Sequence, residues 1–216
     1  MLLLYLLQSP LDLLAVVIGF LVIGITIHEF AHAYVADKFG DPTARTLGRV
    51  SLNPIAHLDP IGTILFFIIG FGWGRPVPIN PRFLNKKSDE LKVAFAGIVA
   101  NLAMAAILAI PLRIATMQGV IIDSSPILSV IDKIVDINII LASFNILPIP
   151  PLDGSHLVEY FLSEEQKLKF MFYGQYAILA LVIFDLVSSY SIIYSIMEPL
   201  IRLFSLIIKG APTTLF

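Results

Sequence analysis

The sequence predicts an all-α polytopic membrane protein, with about six apolar segments and short β strands at the membrane surface between the first and the third. Of the 216 residues, 57% are hydrophobic and only 14% are charged, and the mean hydropathy is +0.89. These values lie far from those of ordinary soluble domains. The net charge is -2 and there is no Lys/Arg tract, so the composition predicts no nucleic-acid partner.

The apolar segments cover residues 11–36, 61–74, 93–112, 134–152, 170–184 and 186–208. A helix needs about 20 residues to cross the hydrocarbon layer, and most of these segments are long enough. The second is shorter and contains four glycines, which weaken a helix. We therefore expect residues 61–74 to form a re-entrant segment or a short interior helix.

A re-entrant second segment places residues 37–60 and 75–92 on the same side of the membrane. All basic residues except Arg113 and Lys133 then fall on that side, including Lys209 near the end of the chain. By the positive-inside rule this side is cytoplasmic. We expect an integral membrane protein in the plasma membrane of a prokaryotic cell.

Two stretches between the first and third apolar segments have extended character. Residues 43–53 and residues 75–81 combine alternation and prolines with few strong helix formers. We expect them to form edge strands at the membrane surface.

The first apolar segment ends in the motif His-Glu-Phe-Ala-His, in which His28 and His32 stand four residues apart. Positions i and i+4 of a helix project from the same face, so both imidazoles can bind one metal ion. Glu29 lies one residue round from that face, where it can hold a metal-bound water as the general base of a hydrolase. Because ionisable groups are costly in a membrane, we favour a metal site over mutual pairing inside a helical bundle.

A catalytic zinc ion needs a third protein ligand, and the cysteine-free chain must supply it from nitrogen or oxygen. Asp153 is the first candidate, because the prolines before it end the fourth segment and leave extended backbone at membrane depth. In the predicted topology it lies at the same depth as His28. Taken alone it is also an ordinary turn residue before Gly154. His156, and the pair His57 and Asp59, remain alternative ligands.

Asn101 and Asn145 are amides in strongly apolar surroundings. Such side chains form hydrogen bonds between helices. They can equally hold an extended substrate backbone or the oxyanion that forms during hydrolysis.

Several motifs occur together in a fixed order: HEFAH, Asn-Pro-Ile-Ala-His-Leu-Asp-Pro, Pro-Val-Pro-Ile-Asn-Pro, Ala-Gly-Ile-Val-Ala-Asn and Asn145 to Gly154. With these motifs in this order, the chain resembles the site-2 protease family of intramembrane zinc metalloproteases. It is most similar to the compact branch of that family, which lacks PDZ and CBS domains. The resemblance covers roughly residues 15–160. It implies one Zn²⁺ per chain held by His28, His32 and Asp153, with Glu29 as the catalytic glutamate. The family's membrane-embedded asparagines map onto Asn101 and Asn145.

The sequence thus predicts a zinc metalloendopeptidase that hydrolyses peptide bonds in or near transmembrane segments of membrane proteins within the lipid bilayer. We expect a single transmembrane protease domain over residues 1–216, with a catalytic core at about 11–160 and a C-terminal helical hairpin at about 164–209. The alternatives are a membrane metal transporter, in which Glu29 would be dispensable, and a metal-binding scaffold without proteolytic activity.

Overall fold

The fold was analysed in a computed structural model that describes residue 10, residue 15 and residues 17–69, 72–188 and 190–211. Predictions that concern residues 1–9, 11–14, 16, 70, 71, 189 and 212–216 lie outside the described residues. The first helix, α1, covers Val17–Lys38. Its first part, Val17–Ile25, is a π-helix, and the part from Thr26 onward is α-helical. Such π-helical stretches often accompany functional sites.

Helices α4 (Lys87–Met117) and α5 (Pro126–Asn145) form an antiparallel pair at the centre of the molecule, and α1 packs against both. Small side chains such as Ala105 and Ala109 on α4 face branched ones such as Val135 and Ile139 on α5. This pairing of small and large residues lets the two helices approach closely. The α4–α5 pair therefore forms a rigid support for α1.

Three of the helices are long and apolar enough to cross a membrane: Val17–Lys38, Lys87–Met117 and Glu164–Val187, the last of which we call α7. Helix α3 (Pro60–Ile69) has only 10 residues, and at about 1.5 Å per residue it is too short to cross the hydrocarbon layer. The helical fold class is confirmed, and these three helices account for part of the predicted six segments.

The predicted surface strands at 43–53 and 75–81 are wrong, since the described ranges contain no strand. Thr43–Thr46 forms a single helical turn, α2, because Asp41 Oδ1 accepts hydrogen bonds from the backbone N and the hydroxyl of Thr43, at 3.0 and 2.5 Å. Residues 75–80 form no regular secondary structure. The guanidinium of Arg49 donates to the carbonyls of Arg75, at 2.5 Å, and Pro76, at 3.1 Å. These carbonyls are therefore bound by a side chain, and residues 75–80 form no β ladder with residues 43–53.

After α5 the chain forms a turn and a short helix, α6 (Ser155–Glu159), before α7. Ser163 and Gln166 form a capping box at the start of α7, as the spacing Ser-x-x-Gln predicts. The last helix, α8 (Ile192–Lys209), packs against both α4 and α5.

The end of α8 corrects the predicted side of Lys209. Its ammonium group lies 2.7 Å from Asp132, in the first half of α5, and 2.9 Å from Asp136, near the middle of that helix. A Cβ added at Gly210 would lie 3.5 Å from the guanidinium of Arg113. Lys209 therefore lies at the same end of the helical bundle as Arg113, because two carboxylates hold it there.

Candidate metal centre

Helix α1 presents His28 and His32 on one face, where both are buried. Their Nε2 atoms lie 3.0 Å apart, and their ring planes meet at 77°. The i, i+4 spacing produces this arrangement, as the motif predicts.

Asp153 reaches these histidines from the turn that follows α5. The helix ends at Asn145, and the carbonyl of Asn145 accepts a hydrogen bond of 2.7 Å from the backbone N of Gly154. This bond closes the proline-containing turn and directs Asp153 back toward α1. Its Oδ2 lies 3.1 Å from Nε2 of His28 and 3.3 Å from Nε2 of His32. One ligand atom from each residue falls within 4.8 Å of the others.

The remaining ring nitrogens determine which tautomer each histidine adopts. Nδ1 of His28 lies 2.8 Å from Oδ1 of Asn101, and Nδ1 of His32 lies 2.7 Å from the carbonyl of Val93. A carbonyl oxygen can only accept, so each Nδ1 carries the hydrogen and donates it. Both Nε2 atoms therefore present lone pairs to the space in front of Asp153.

Three electron-rich atoms thus face one another, and within the described part of the chain Oδ2 of Asp153 has no hydrogen-bond partner. Such a buried arrangement is unfavourable without a cation, since the atoms repel one another and remain unsatisfied. Two imidazole nitrogens and one carboxylate oxygen form a donor set that zinc binds in hydrolases. The residues present therefore fit a zinc ion.

Gly97 on α4 lets both imidazoles lie directly against that helix. A Cβ at this position would lie 2.5 Å from Cε1 and 2.6 Å from Nδ1 of His28, and would also overlap Nε2 of His32. Ordinary carbon contacts are 3.4–4 Å. The absence of a side chain at Gly97 is therefore a condition for the geometry of the cluster.

Glu29 and the three clustered residues line a common cavity of about 830 Å³. Oε2 of Glu29 accepts a hydrogen bond of 3.1 Å from the backbone N of Val77. Arg49 supports this segment through the two carbonyl contacts described above. Burial lowers the pKa of Arg49, and the negative charge of Glu29 opposes that change.

Apolar side chains form most of the remaining cavity wall. They come from α1, from the segment around Trp73 and Val77, and from one face of α7, where Ile178, Val182 and Leu186 contribute. The cavity therefore presents its few polar groups within apolar surroundings, as ligand sites commonly do.

The other predicted site residues occupy different positions. Asn101 is fully buried and contacts His28, whereas Asn145 lines the cavity and donates a hydrogen bond of 3.0 Å to the carbonyl of Leu141. His156 also lines the cavity and lies 3.3 Å from Glu159. His57 is buried elsewhere, with Nε2 2.7 Å from the carbonyl of Ser51. The cluster thus contains neither His57 nor His156.

Sequence reasoning missed Gly97, Arg49 and Asn138 as neighbours of this site. Asn138 is a fully buried amide on α5 that contacts Asn101. The signal that singled out Asn101, a lone amide in an apolar segment, would also have found Asn138.

The chain was compared with known proteins. The model of peptidase family M50 matches residues 109–187, a range that includes Asp153. The chain is 43% identical over 157 residues to YwhC of Bacillus subtilis, which is named as a zinc metalloprotease, and the match covers 71% of this chain and 72% of YwhC. No solved structure matches.

More distant relatives bear similar names. Rip2 of Mycobacterium tuberculosis H37Rv, also named as a zinc metalloprotease, is 29% identical over 178 residues, which is 78% of this chain and 65% of Rip2. The zinc metalloprotease MJ0392 of Methanocaldococcus jannaschii is 25% identical over 151 residues, or 70% of this chain and 35% of that protein. The chain thus spans less than two thirds of these two relatives.

These matches favour an enzyme over a metal transporter, and the three apolar helices indicate that it is integral to a membrane. The donor set around His28, His32 and Asp153 agrees with the metal in the relatives' names. The chain therefore belongs to peptidase family M50, the site-2 protease family, and is a zinc metalloprotease of the membrane with Zn²⁺ as its cofactor.

Proposed function

We propose that this protein hydrolyses peptide bonds in or beside transmembrane segments of other membrane proteins, with one zinc ion held by His28, His32 and Asp153. The supporting observation is the convergence of three ligand atoms within 4.8 Å on a largely apolar cavity. A zinc ion bound there supplies a Lewis acid that polarises the substrate carbonyl and acidifies water.

Glu29 is the general base and acid of this proposal. Its carboxylate takes a proton from the attacking water and delivers it to the nitrogen of the leaving amine. The hydrogen bond from Val77 N to Oε2 fixes the carboxylate at the cavity wall. The other oxygen, Oε1, lies near Gly74, where an added Cβ would be 3.5 Å away. An added Cβ would first meet Cγ2 of Ile25, at 2.7 Å, so glycine at position 74 lets this segment pack closely against α1.

Substrate access requires local unwinding, because the carbonyls of a helical substrate are occupied by internal hydrogen bonds. The segment around Val77 lines the cavity beside Glu29, and in this proposal an unwound substrate lies along it. Asn145 also lines the cavity, and in this proposal its side chain contacts the substrate backbone. Asn101 is separated from the cavity by His28, so its contribution to substrate positioning would be indirect.

We also propose a topology with residues 61–74 as a re-entrant segment and the site toward the cytoplasm of a prokaryotic cell. Leu58 and Gly74 form an antiparallel bridge, and Arg75 N donates a hydrogen bond of 2.7 Å to the carbonyl of His57. The segment therefore returns to the place where it began. Residues 1–216 would act as one protease domain.

The test of this proposal is Glu29→Gln in protein reconstituted into lipid vesicles with a model transmembrane substrate. Glutamine keeps the shape and the acceptor oxygen for Val77 N, but it cannot take a proton. We expect one zinc per chain to be retained, and cleavage to fall by at least about 100-fold, within the range for loss of general-base catalysis.

Two outcomes would contradict the proposal. Cleavage at the parent rate by Glu29→Gln would exclude Glu29 as the base. One zinc per chain in His28→Ala or Asp153→Ala, measured by mass spectrometry of the metal, would exclude the ligand set. Glu164→Gln, which changes an exposed carboxylate outside the cavity lining, is the matched control and should leave cleavage unchanged.

A further inference from the structure

A chain of buried amides links α5 to the proposed zinc ligand His28. Asn138 Nδ2 donates to the carbonyl of Ile134 at 2.9 Å, and Asn138 Oδ1 accepts from Nδ2 of Asn101 at 3.0 Å. Asn101 Oδ1 then accepts from Nδ1 of His28 at 2.8 Å. Both asparagines are 0% exposed, so water does not compete for these groups.

Two backbone carbonyls determine how the amides of Asn138 and Asn101 are oriented. The carbonyl of Ile134 can only accept, so Asn138 must turn its NH₂ toward it and its oxygen toward Asn101. The carbonyl of Gly24 likewise accepts from Nδ2 of Asn101 at 3.2 Å. A rotated Asn101 amide would place its oxygen against the oxygens of Gly24 and Asn138, which is unfavourable in a buried site.

The orientation of Asn101 decides which nitrogen of His28 is available. With Oδ1 facing the ring, Nδ1 keeps its hydrogen and Nε2 presents a lone pair toward Asp153. With the NH₂ group facing the ring, Nδ1 would have to accept, and the hydrogen would move to Nε2, where it blocks metal binding. The partner of the second ring nitrogen commonly fixes a histidine ligand in this way.

We propose that Asn138, two hydrogen bonds away from His28, is a positioning residue that selects the metal-binding tautomer of His28 by orienting the amide of Asn101. This inference rests on the proposed role of His28 as a zinc ligand. It assigns to α5 an indirect part in metal affinity, in addition to its part in the helical core.

The test compares two replacements of Asn138 in the purified full-length chain. Asn138→Leu has nearly the shape of asparagine but removes the acceptor for Asn101. Asn138→Thr preserves the donor and acceptor order of these hydrogen bonds. A threonine hydroxyl on a helix can donate to the carbonyl four residues earlier and still accept from Asn101. Ile139→Ala removes a neighbouring core side chain that is also 0% exposed and has no polar link to His28.

The readouts are the zinc dissociation constant, measured by competition with a chromophoric chelator, and the visible spectrum of the Co²⁺-loaded protein. We expect Asn138→Leu to bind zinc about tenfold more weakly, at the lower end of the 10–100-fold effect of partners that contact the ligand directly, and to change the Co²⁺ spectrum. Asn138→Thr should remain within about threefold of the parent. Ile139→Ala should change unfolding but neither metal readout.

The proposal is overturned if Asn138→Leu binds zinc like the parent, or if threonine is no better than leucine. Should the leucine variant not fold, Asn138→Ala provides the same comparison with threonine. His28→Ala separates the two hypotheses. If it weakens zinc binding strongly while Asn138→Leu does not, only the role of Asn138 fails; if His28→Ala has no effect, the ligand assignment fails and the inference with it.

Discussion

Replacement of Gly97 by alanine should strongly weaken zinc binding while leaving the helix that carries it intact. The added Cβ would lie 2.5 and 2.6 Å from atoms of His28, against an ordinary contact of at least 3.4 Å, and it would overlap His32. The imidazoles would have to retreat by about 1 Å, several times the ~0.2 Å tolerance of a metal–ligand distance. Alanine favours a helix over glycine by about 0.8–1.0 kcal/mol, so helix propensity opposes unfolding.

The assay measures zinc content per chain by mass spectrometry, the zinc dissociation constant by chelator competition, and the thermal unfolding of the protein in detergent. We expect zinc affinity to fall by more than about 100-fold, beyond the effect of losing one partner of a ligand. Ala103→Ser adds one heavy atom to an exposed position of the same helix and should bind zinc normally. A Gly97→Ala protein with one zinc per chain and the parent's affinity would refute the geometry described for the cluster.

Three further outcomes are expected. Asp153→Ala should lose zinc while His156→Ala keeps it, as measured by metal content, and equal zinc in both variants would exclude Asp153 as a ligand. Arg49→Gln should slow cleavage without loss of zinc, because the carbonyls that fix the segment beside the base lose their charged donor; a parent-like rate would contradict this role. Lys209→Met should lower the free energy of unfolding, by less than the roughly 3–5 kcal/mol measured for a fully buried pair, because it removes the ammonium group that contacts Asp132 and Asp136; unchanged thermal unfolding would contradict it.

The part of the site that depends on local spacing could be predicted from the sequence. The spacing of His28 and His32 brings both rings to one helix face wherever the helix lies, and the prolines before Asp153 mark the end of α5. The long helices follow from apolar length in the same way. These features need no knowledge of distant contacts.

The features that depend on distant partners could not be predicted. Residues 43–53 have extended character, but the Asp41 carboxylate begins a helical turn and Arg49 binds the carbonyls that a strand would have used. The positive-inside rule counts exposed charges, so it misplaced Lys209, whose position is determined by two carboxylates on α5. The proposed role of Asn138 depends on its hydrogen bond to Asn101, which local sequence does not indicate.

The position of Asp153 on the turn after α5 has a consequence for biosynthesis. On the proposed ligand assignment, α1 enters the membrane early in translation, yet it carries only two of the three groups that hold the metal. The nascent polypeptide cannot hydrolyse its neighbours at the translocon until α4 and α5 have been inserted and this turn has folded back. Proteolytic competence would therefore arise only after the residues up to Asp153 have left the ribosome.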